Sequence, residues 1–248
     1  MQCLKYALLL ICASLLLLQG CATTPKANAT PEELYTQGEV LFTKSRYTQA
    51  IEHWKKVRES FPAPELASKA EIGIANAYFL NRDYIEAGAA YEEFRKLHPA
   101  HDLAQFALYR QALSSYNLIT GIDTDQTPTR NALTLFESFV QLYPKSEYAA
   151  KSREKIADCR AKLARYEIYV GHYYYRTHHH KAAIGRFEKA LSDYPEFTGH
   201  DQTLFYLGQA YAADKQMDKM QTVLSRLVRE YPSSKYLGDA RSILAEKL

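Results

Sequence analysis

Apolar positions recur along this chain with a helical period, and prolines punctuate the recurrence. Pro62, Pro99, Pro144, Pro195 and Pro232 each follow an aromatic residue or a histidine and an amphipathic run, at intervals of 37, 45, 51 and 37 residues. Twelve residues before each proline stands Ala50, Ala87, Ala132, Ala183 or Met220, and eight before it stands Trp54, Tyr91, Phe136, Phe187 or Leu224. Twenty-four before it, in four of the five cases, stands Gly38, Ala75, Gly171 or Gly208. The pattern predicts helix pairs: a small residue on the first helix faces a small residue on the second, and a large apolar residue one turn later fills the space between pairs. Proline then stops the second helix, since it has no N–H to donate and clashes with the preceding turn. Periods of this size mark repeat architectures, so the expected fold class is all-α, a solenoid of about five helix pairs.

The departures from the pattern carry information of their own. In the third repeat the distance from Ala112 to Ala132 is eight residues longer than usual, and the excess is the polar stretch Gly121–Arg130, GIDTDQTPTR, read as a loop inserted between the two helices. In the fifth, Met220 takes the small position, which predicts splayed helices. From Ser146 to Tyr175 there is no proline, no glycine before Gly171, and unbroken helical periodicity. That predicts one long helix joining the third repeat to the fourth. Ser234 to Leu248 reads as a terminal helix, apolar at Tyr236, Leu237, Ala240, Ile243 and Leu244, that caps the open end of the array. The chain carries 20 tyrosines. Tyr78, Tyr174 and Tyr211 fall three residues after the small position, where a ring packs between successive helices, so most of the aromatic surplus is assigned to the core.

The N-terminus follows a different rule. Lys5 and the apolar stretch Tyr6–Leu18 form a run too short to span a bilayer, and it ends in Leu18-Gln19-Gly20-Cys21. This reads as a bacterial lipobox, with residues 1–20 as the signal peptide and Cys21 as the lipidated N-terminus of the mature chain. Lipidation of this kind anchors the protein to a membrane through its acyl chains. Ala22 in place of Asp after the cysteine points to the outer membrane. The small, polar, proline-containing segment to Glu32 reads as a flexible tether, so that 21–32 is tether, 33–146 holds repeats one to three, and 147–248 holds the long helix, repeats four and five and the cap. At about 3.3 Å per residue its reach is at most ~35 Å.

Composition narrows the function. The formal charge of +3 falls to +2 without Lys5, too near neutral to argue for nucleic acid. Of the four cysteines only Cys159 stays free in the mature chain, in an apparent helix, where it reads as a small buried apolar residue. His178-His179-His180, with His172 two turns earlier, is the cluster closest to a metal site. Three consecutive residues at a turn cannot converge on one ion without strain, and no carboxylate or thiolate stands nearby in sequence, so a polar turn without metal is the reading. No glycine-rich phosphate loop, H-E-x-x-H or nucleophile elbow occurs. No catalytic residue, cofactor or metal is expected, and the chain is read as a non-enzyme.

The helix-pair pattern resembles the tetratricopeptide family, with cores at 31–64, 68–101, 104–146, 164–197 and 201–234. The combination of lipobox, tether, five such repeats and long linking helix resembles the BamD (ComL-type) family of outer-membrane lipoproteins. The stretches that carry it are Arg130-Asn131-Ala132 through Tyr143-Pro144-Lys145-Ser146-Glu147-Tyr148, Leu163-Ala164-Arg165-Tyr166-Glu167, Arg186-Phe187-Glu188 and Asp193-Tyr194-Pro195. The resemblance implies a periplasm-facing scaffold of the barrel assembly machinery. Its implied partners are a BamA-like barrel insertase with periplasmic repeat domains, accessory assembly lipoproteins, and the C-termini of unfolded outer-membrane proteins. The first helices of such repeats line a concave surface, which puts Tyr35, Glu39, Phe42, Ile72, Asn76 and Phe79 toward a peptide groove. Phe42 and Phe79 are equivalent, and their spacing allows either two rings side by side as platforms or two rings packed against the next helix. For insertase docking the resemblance singles out Arg186 and Glu188, which flank Phe187 and should point outward, either to a partner or simply to solvent. The competing assignment is a tetratricopeptide lipoprotein acting as a pilotin or as an envelope or peptidoglycan adaptor.

Overall fold

The computed structural model describes residues 29–60 and 64–246. The expected signal peptide, Cys21 and most of the tether lie outside the described residues. Among the described residues there are eleven helices and no strand: α1 (Pro31–Thr43), α2 (Tyr47–Ser60), α3 (Pro64–Leu80), α4 (Tyr84–Leu97), α5 (Ala104–Asn117), α6 (Thr127–Leu142), α7 (Ala149–Arg176), α8 (His180–Asp193), α9 (His200–Ala213), α10 (Met217–Glu230) and α11 (Leu237–Glu246). They divide into two compact units, one running through Ala70 and one from Glu71 onward. Helix α7 packs its Ile156 and Cys159 into the core built by Leu108, Phe136 and Phe139 of α5 and α6.

The first helix starts at Pro31, two residues inside the segment read as tether. The cause is a capping box: the Thr30 hydroxyl accepts from the Glu33 N–H at 3.2 Å while the Glu33 carboxylate accepts from the Thr30 N–H at 3.1 Å. Pro31 then fits the first helical turn, where its missing N–H has no cost.

Helix ends repeat with little variation. Ser45, Arg82, His178 and Lys215 take left-handed φ values of 57°, 67°, 62° and 64° in the turns that close the pairs. The next residue in each turn donates back to the helix it has left, as in Arg46 N to Leu41 O and Asp83 N to Tyr78 O, at 2.9 and 3.0 Å. His179 to Tyr174 and Gln216 to Tyr211 do the same, both at 2.9 Å. This is the Schellman closure of a helix C-terminus. At the far ends of four of the second helices, His98, Tyr143, Tyr194 and Tyr231 all sit near φ −130° and ψ 60°. Each precedes a proline, whose ring excludes the helical conformation from the residue before it.

Inside the pairs the packing differs from the small-on-small expectation. A Cβ on Gly171 would stand 2.6 Å from the Phe187 ring, and one on Gly208 would stand 2.6 Å from Leu224. Gly38 lies against the Trp54 indole in the same way, and the indole N–H donates to the Tyr35 carbonyl at 3.2 Å. The small residue therefore admits the large residue of its own pair. Met220 does not splay the fifth pair. It is fully buried with Leu224 and Leu227, and Gly208 remains closed on Leu224, because an unbranched thioether adapts to the space left to it.

The inserted loop is shorter than drawn, because Thr127 to Arg130 already belong to α6. The Asp125 carboxylate accepts from the Thr127 N–H at 3.0 Å and from its hydroxyl at 2.8 Å, and Pro128 occupies the first turn. The buried Gln126 amide donates to the carbonyls of Gly121 and Thr124, which gives the loop its own internal frame. The long helix is present as Ala149–Arg176, and α11 packs on the last pair through Ala240, Ile243 and Leu244.

Candidate interaction surfaces

The six residues expected at a peptide groove divide between the compact units, Tyr35, Glu39 and Phe42 in the first and Ile72, Asn76 and Phe79 in the second. In the first, Tyr35 is half-buried beside Trp54, and burial together with the adjacent Glu39 carboxylate raises its phenol pKa. The Phe42 ring lies 5.4 Å from Tyr47 and 5.5 Å from Trp54. In the second, Phe79 lies 5.4 Å from Tyr84 and 6.5 Å from Tyr91. Each phenylalanine is thus held between a ring from the start of the next helix and the large residue of its own pair, and is partly exposed. Two of the expected lining residues do not line a surface freely. Ile72 is buried in the core with Ala75, Ala87 and Phe94, and the Asn76 side-chain carbonyl accepts from the Tyr91 hydroxyl at 2.6 Å. A residue that sequence spacing did not mark joins Phe79 instead. The Arg110 guanidinium lies 4.6 Å from the centre of the Phe79 ring and 5.2 Å from that of Phe106, with its Nε buried and unpartnered.

Arg186 and Glu188 are not outward-pointing charges without partners. Arg186 donates to Glu167 of α7 at 2.8 Å, and Glu167 is itself buried. Glu188, though exposed, accepts from the Tyr211 hydroxyl of α9. Flanking a core residue on a helix leaves a long side chain within reach of the helices on either side, which is why both found partners.

The histidine run is a helix-ending turn. His178 holds the left-handed position, the same place that Ser45, Arg82 and Lys215 hold in other pairs. His179 Nδ1 lies 3.1 Å from the Thr177 hydroxyl, and the His180 ring lies 5.7 Å from Tyr175. No group of three or more His, Cys, Asp or Glu side chains able to hold a metal occurs among the described residues. Cys159 is fully buried in the α5–α6–α7 core, where burial first and the Asp158 charge second push its thiol up to about 11. A thiol so placed stays protonated and is a poor nucleophile.

One surface was missed from sequence. Between α4 and α6, with α5 as its floor, lies an open trough of about 750 Å³. Helix α4 supplies Ile85, Gly88, Ala89 and Glu92, the floor supplies Gln111 and Ser115, and α6 supplies Asn131, Thr134 and Leu135. Glu92 pairs with Lys96, Arg95 donates to the Gln111 carbonyl oxygen at 2.7 Å, and the Gln111 amide reaches back to Glu92 at 3.4 Å. The signal for it was present in the spacing. Three residues after the small position, where other repeats carry Tyr78, Tyr174 and Tyr211, this one carries Ser115.

Residues 27–224 match the family model described as YfiO, outer membrane lipoprotein. The outer membrane protein assembly factor BamD of Rickettsia prowazekii is 32% identical over 228 residues, 91% of each chain. The BamD proteins of Neisseria gonorrhoeae, at 29% over 246 residues and 91% of each chain, and of Caulobacter vibrioides, at 28% over 214 residues, 86% of this chain and 70% of that one, are similar in the same way.

Proposed function

The chain belongs to the BamD family of outer-membrane protein assembly factors, and from that premise we propose that it is a non-enzymatic, lipid-anchored scaffold on the periplasmic face of the outer membrane. The anchor is Cys21. Its partners in this reading are a BamA-like insertase with periplasmic repeat domains, accessory assembly lipoproteins, and the C-terminal segments of unfolded outer-membrane proteins.

The observation that supports substrate binding is Arg110 between Phe79 and Phe106. A guanidinium resting on two rings pairs a carboxylate while the rings accept an aromatic side chain, the two groups that an aromatic-ending peptide presents together. In the first unit, by itself, Phe42 is a second candidate platform for an aromatic side chain. For insertase docking, Arg186 and Glu188 act from fixed positions, since Glu167 and Tyr211 hold their side chains and remove part of the entropy cost of binding.

The test is co-purification of the tagged, lipidated protein from its native outer membrane in mild detergent, with mass spectrometry of what accompanies it. A near-stoichiometric barrel protein bearing periplasmic repeat domains is the expected outcome. A secretin or a peptidoglycan enzyme in its place would transfer the chain to a pilotin or adaptor role. Cys21→Ser should release the protein from membranes, and retention would remove the anchor from the account.

A further inference from the structure

The trough over Ser115 has an internal counterpart in which the space is filled. At the junction of the fourth and fifth pairs, Tyr211 stands where Ser115 stands at the junction of the second and third. Its ring is buried, its hydroxyl donates to Glu188 of α8, and Lys219 of α10 lies 5.4 Å from its ring centre. Glu188 occupies the position of Glu92, and Lys219 that of Asn131. Two further replacements empty the first junction: Gly88 for the buried Ile184, and Gln111 for the buried Leu207. The acceptor carboxylate is kept while the ring that would use it is missing.

We infer that the trough between α4, α5 and α6 is a docking site for a partner-protein segment that presents a tyrosine next to an acidic residue. The phenol ring lies over Ser115 between Gly88 and Thr134, where the Tyr211 ring lies in the other junction, and its hydroxyl donates to Glu92. Arg95 and Lys96, at the charged end of the same wall, then face the neighbouring carboxylate. Arg95 is at present engaged by the neutral Gln111, so an acidic side chain gives it a stronger, charge-assisted partner. The apolar end, with Ile85 69% exposed and Leu135 beside it, covers the flanking residues of the bound segment. The site is independent of which assembly the chain serves, so it can fail without the scaffold reading failing.

The experiment is to pan a random-peptide phage library against the full chain in mild detergent and to measure binding of the enriched peptides to variants. Enrichment of a tyrosine with an Asp or Glu within a few residues is expected. Ser115→Tyr, which rebuilds the closed junction from within, should weaken those peptides by about tenfold or more, and Ser115→Ala should not. Ala89→Trp blocks the same wall from an exposed position, so the site stays testable should Ser115→Tyr fail to fold. In the peptide, Tyr→Phe should cost several-fold and Tyr→Ala should abolish binding. Peptides without the tyrosine–acid pairing, or undiminished binding to both blocked variants, would overturn the assignment. So would a concentration-dependent dimer of the wild-type chain that Ser115→Tyr dissolves, because the occupant would then be a second copy.

Discussion

The junction of the second and third helix pairs and that of the fourth and fifth share one backbone scheme and differ in what fills it. In both, the second helix of one pair lies beside the next pair, and a proline ends it after a residue near φ −130°. In one, Ile184, Leu207 and Tyr211 make a closed apolar joint. In the other, Gly88, Gln111 and Ser115 leave a trough. Helix ends and turns therefore set the repeat, and three side chains decide whether a joint is core or surface. This gives a repeat scaffold a way to place a groove without disturbing its neighbours.

The sharpest way to break the comparison is to open the closed joint. Tyr211→Ser removes a buried ring and leaves Glu188 without its donor, and by analogy with other buried aromatic truncations it should cost about 3 kcal/mol or more. The drop in urea midpoint reads it directly. A loss under about 1 kcal/mol would mean that the ring is not structural there, and the contrast with Ser115 would lose its meaning.

Next in size is Gly208→Ala, inside the fifth pair next to that joint. Its new methyl would press on Leu224, fully buried and 2.6 Å away, so about 1–3 kcal/mol of destabilisation is expected from overpacking. The same half of the molecule also carries a pH dependence. Burial lowers the pKa of both His172 and His200, against the hydrogen bond that His200 donates to the Tyr194 carbonyl. Their folded pKa values lie below the unfolded value of about 6.5, so the unfolded chain binds more protons as the solution is acidified. Stability is then fully present above that pH and is lost as pH falls below it. Urea midpoints at neutral and mildly acid pH should show this loss, and His200→Gln should flatten the dependence even though it lowers the midpoint overall. An unchanged slope would assign the acid sensitivity to other groups.

Most of the architecture was legible because it rests on local chemistry. A proline that ends a helix and a small residue that admits a large one are visible as spacings, and the long helix Ala149–Arg176 follows from unbroken periodicity. What spacing could not supply was the partner of each side chain. Gly38 was paired with the wrong residue, although its position was right, because helical period fixes a face and leaves open which neighbour meets it. Arg186 and Glu188 were assigned to the surface for the same reason, and their bonds to Glu167 and Tyr211 depend on the helices before and after α8. Ile72 was placed on a surface by its helix face and lies in the core. The trough was a missed exception. Ser115 breaks a tyrosine position that recurs in three other repeats, and a break in a repeat is where a solenoid carries something other than its own packing.

The smallest effect has the opposite sign and tests the open joint from its own side. Gly88 lies mid-helix in α4, and a Cβ there would meet only Ser114, at an ordinary 3.7 Å. The substitution Gly88→Ala therefore adds no clash and removes backbone freedom from the unfolded chain. It should raise stability by about 0.5–1 kcal/mol, the helix-interior difference between the two residues. The same Gly→Ala change is thus stabilising at the open joint and destabilising inside a closed pair, and a urea titration of Gly88→Ala beside Gly208→Ala reads both signs in one experiment. A destabilising Gly88→Ala would show that the open joint is packed as tightly as the inside of a pair. Opposite signs would leave retention of Gly88 without a stability reason, as expected where the space it leaves is used by a ligand.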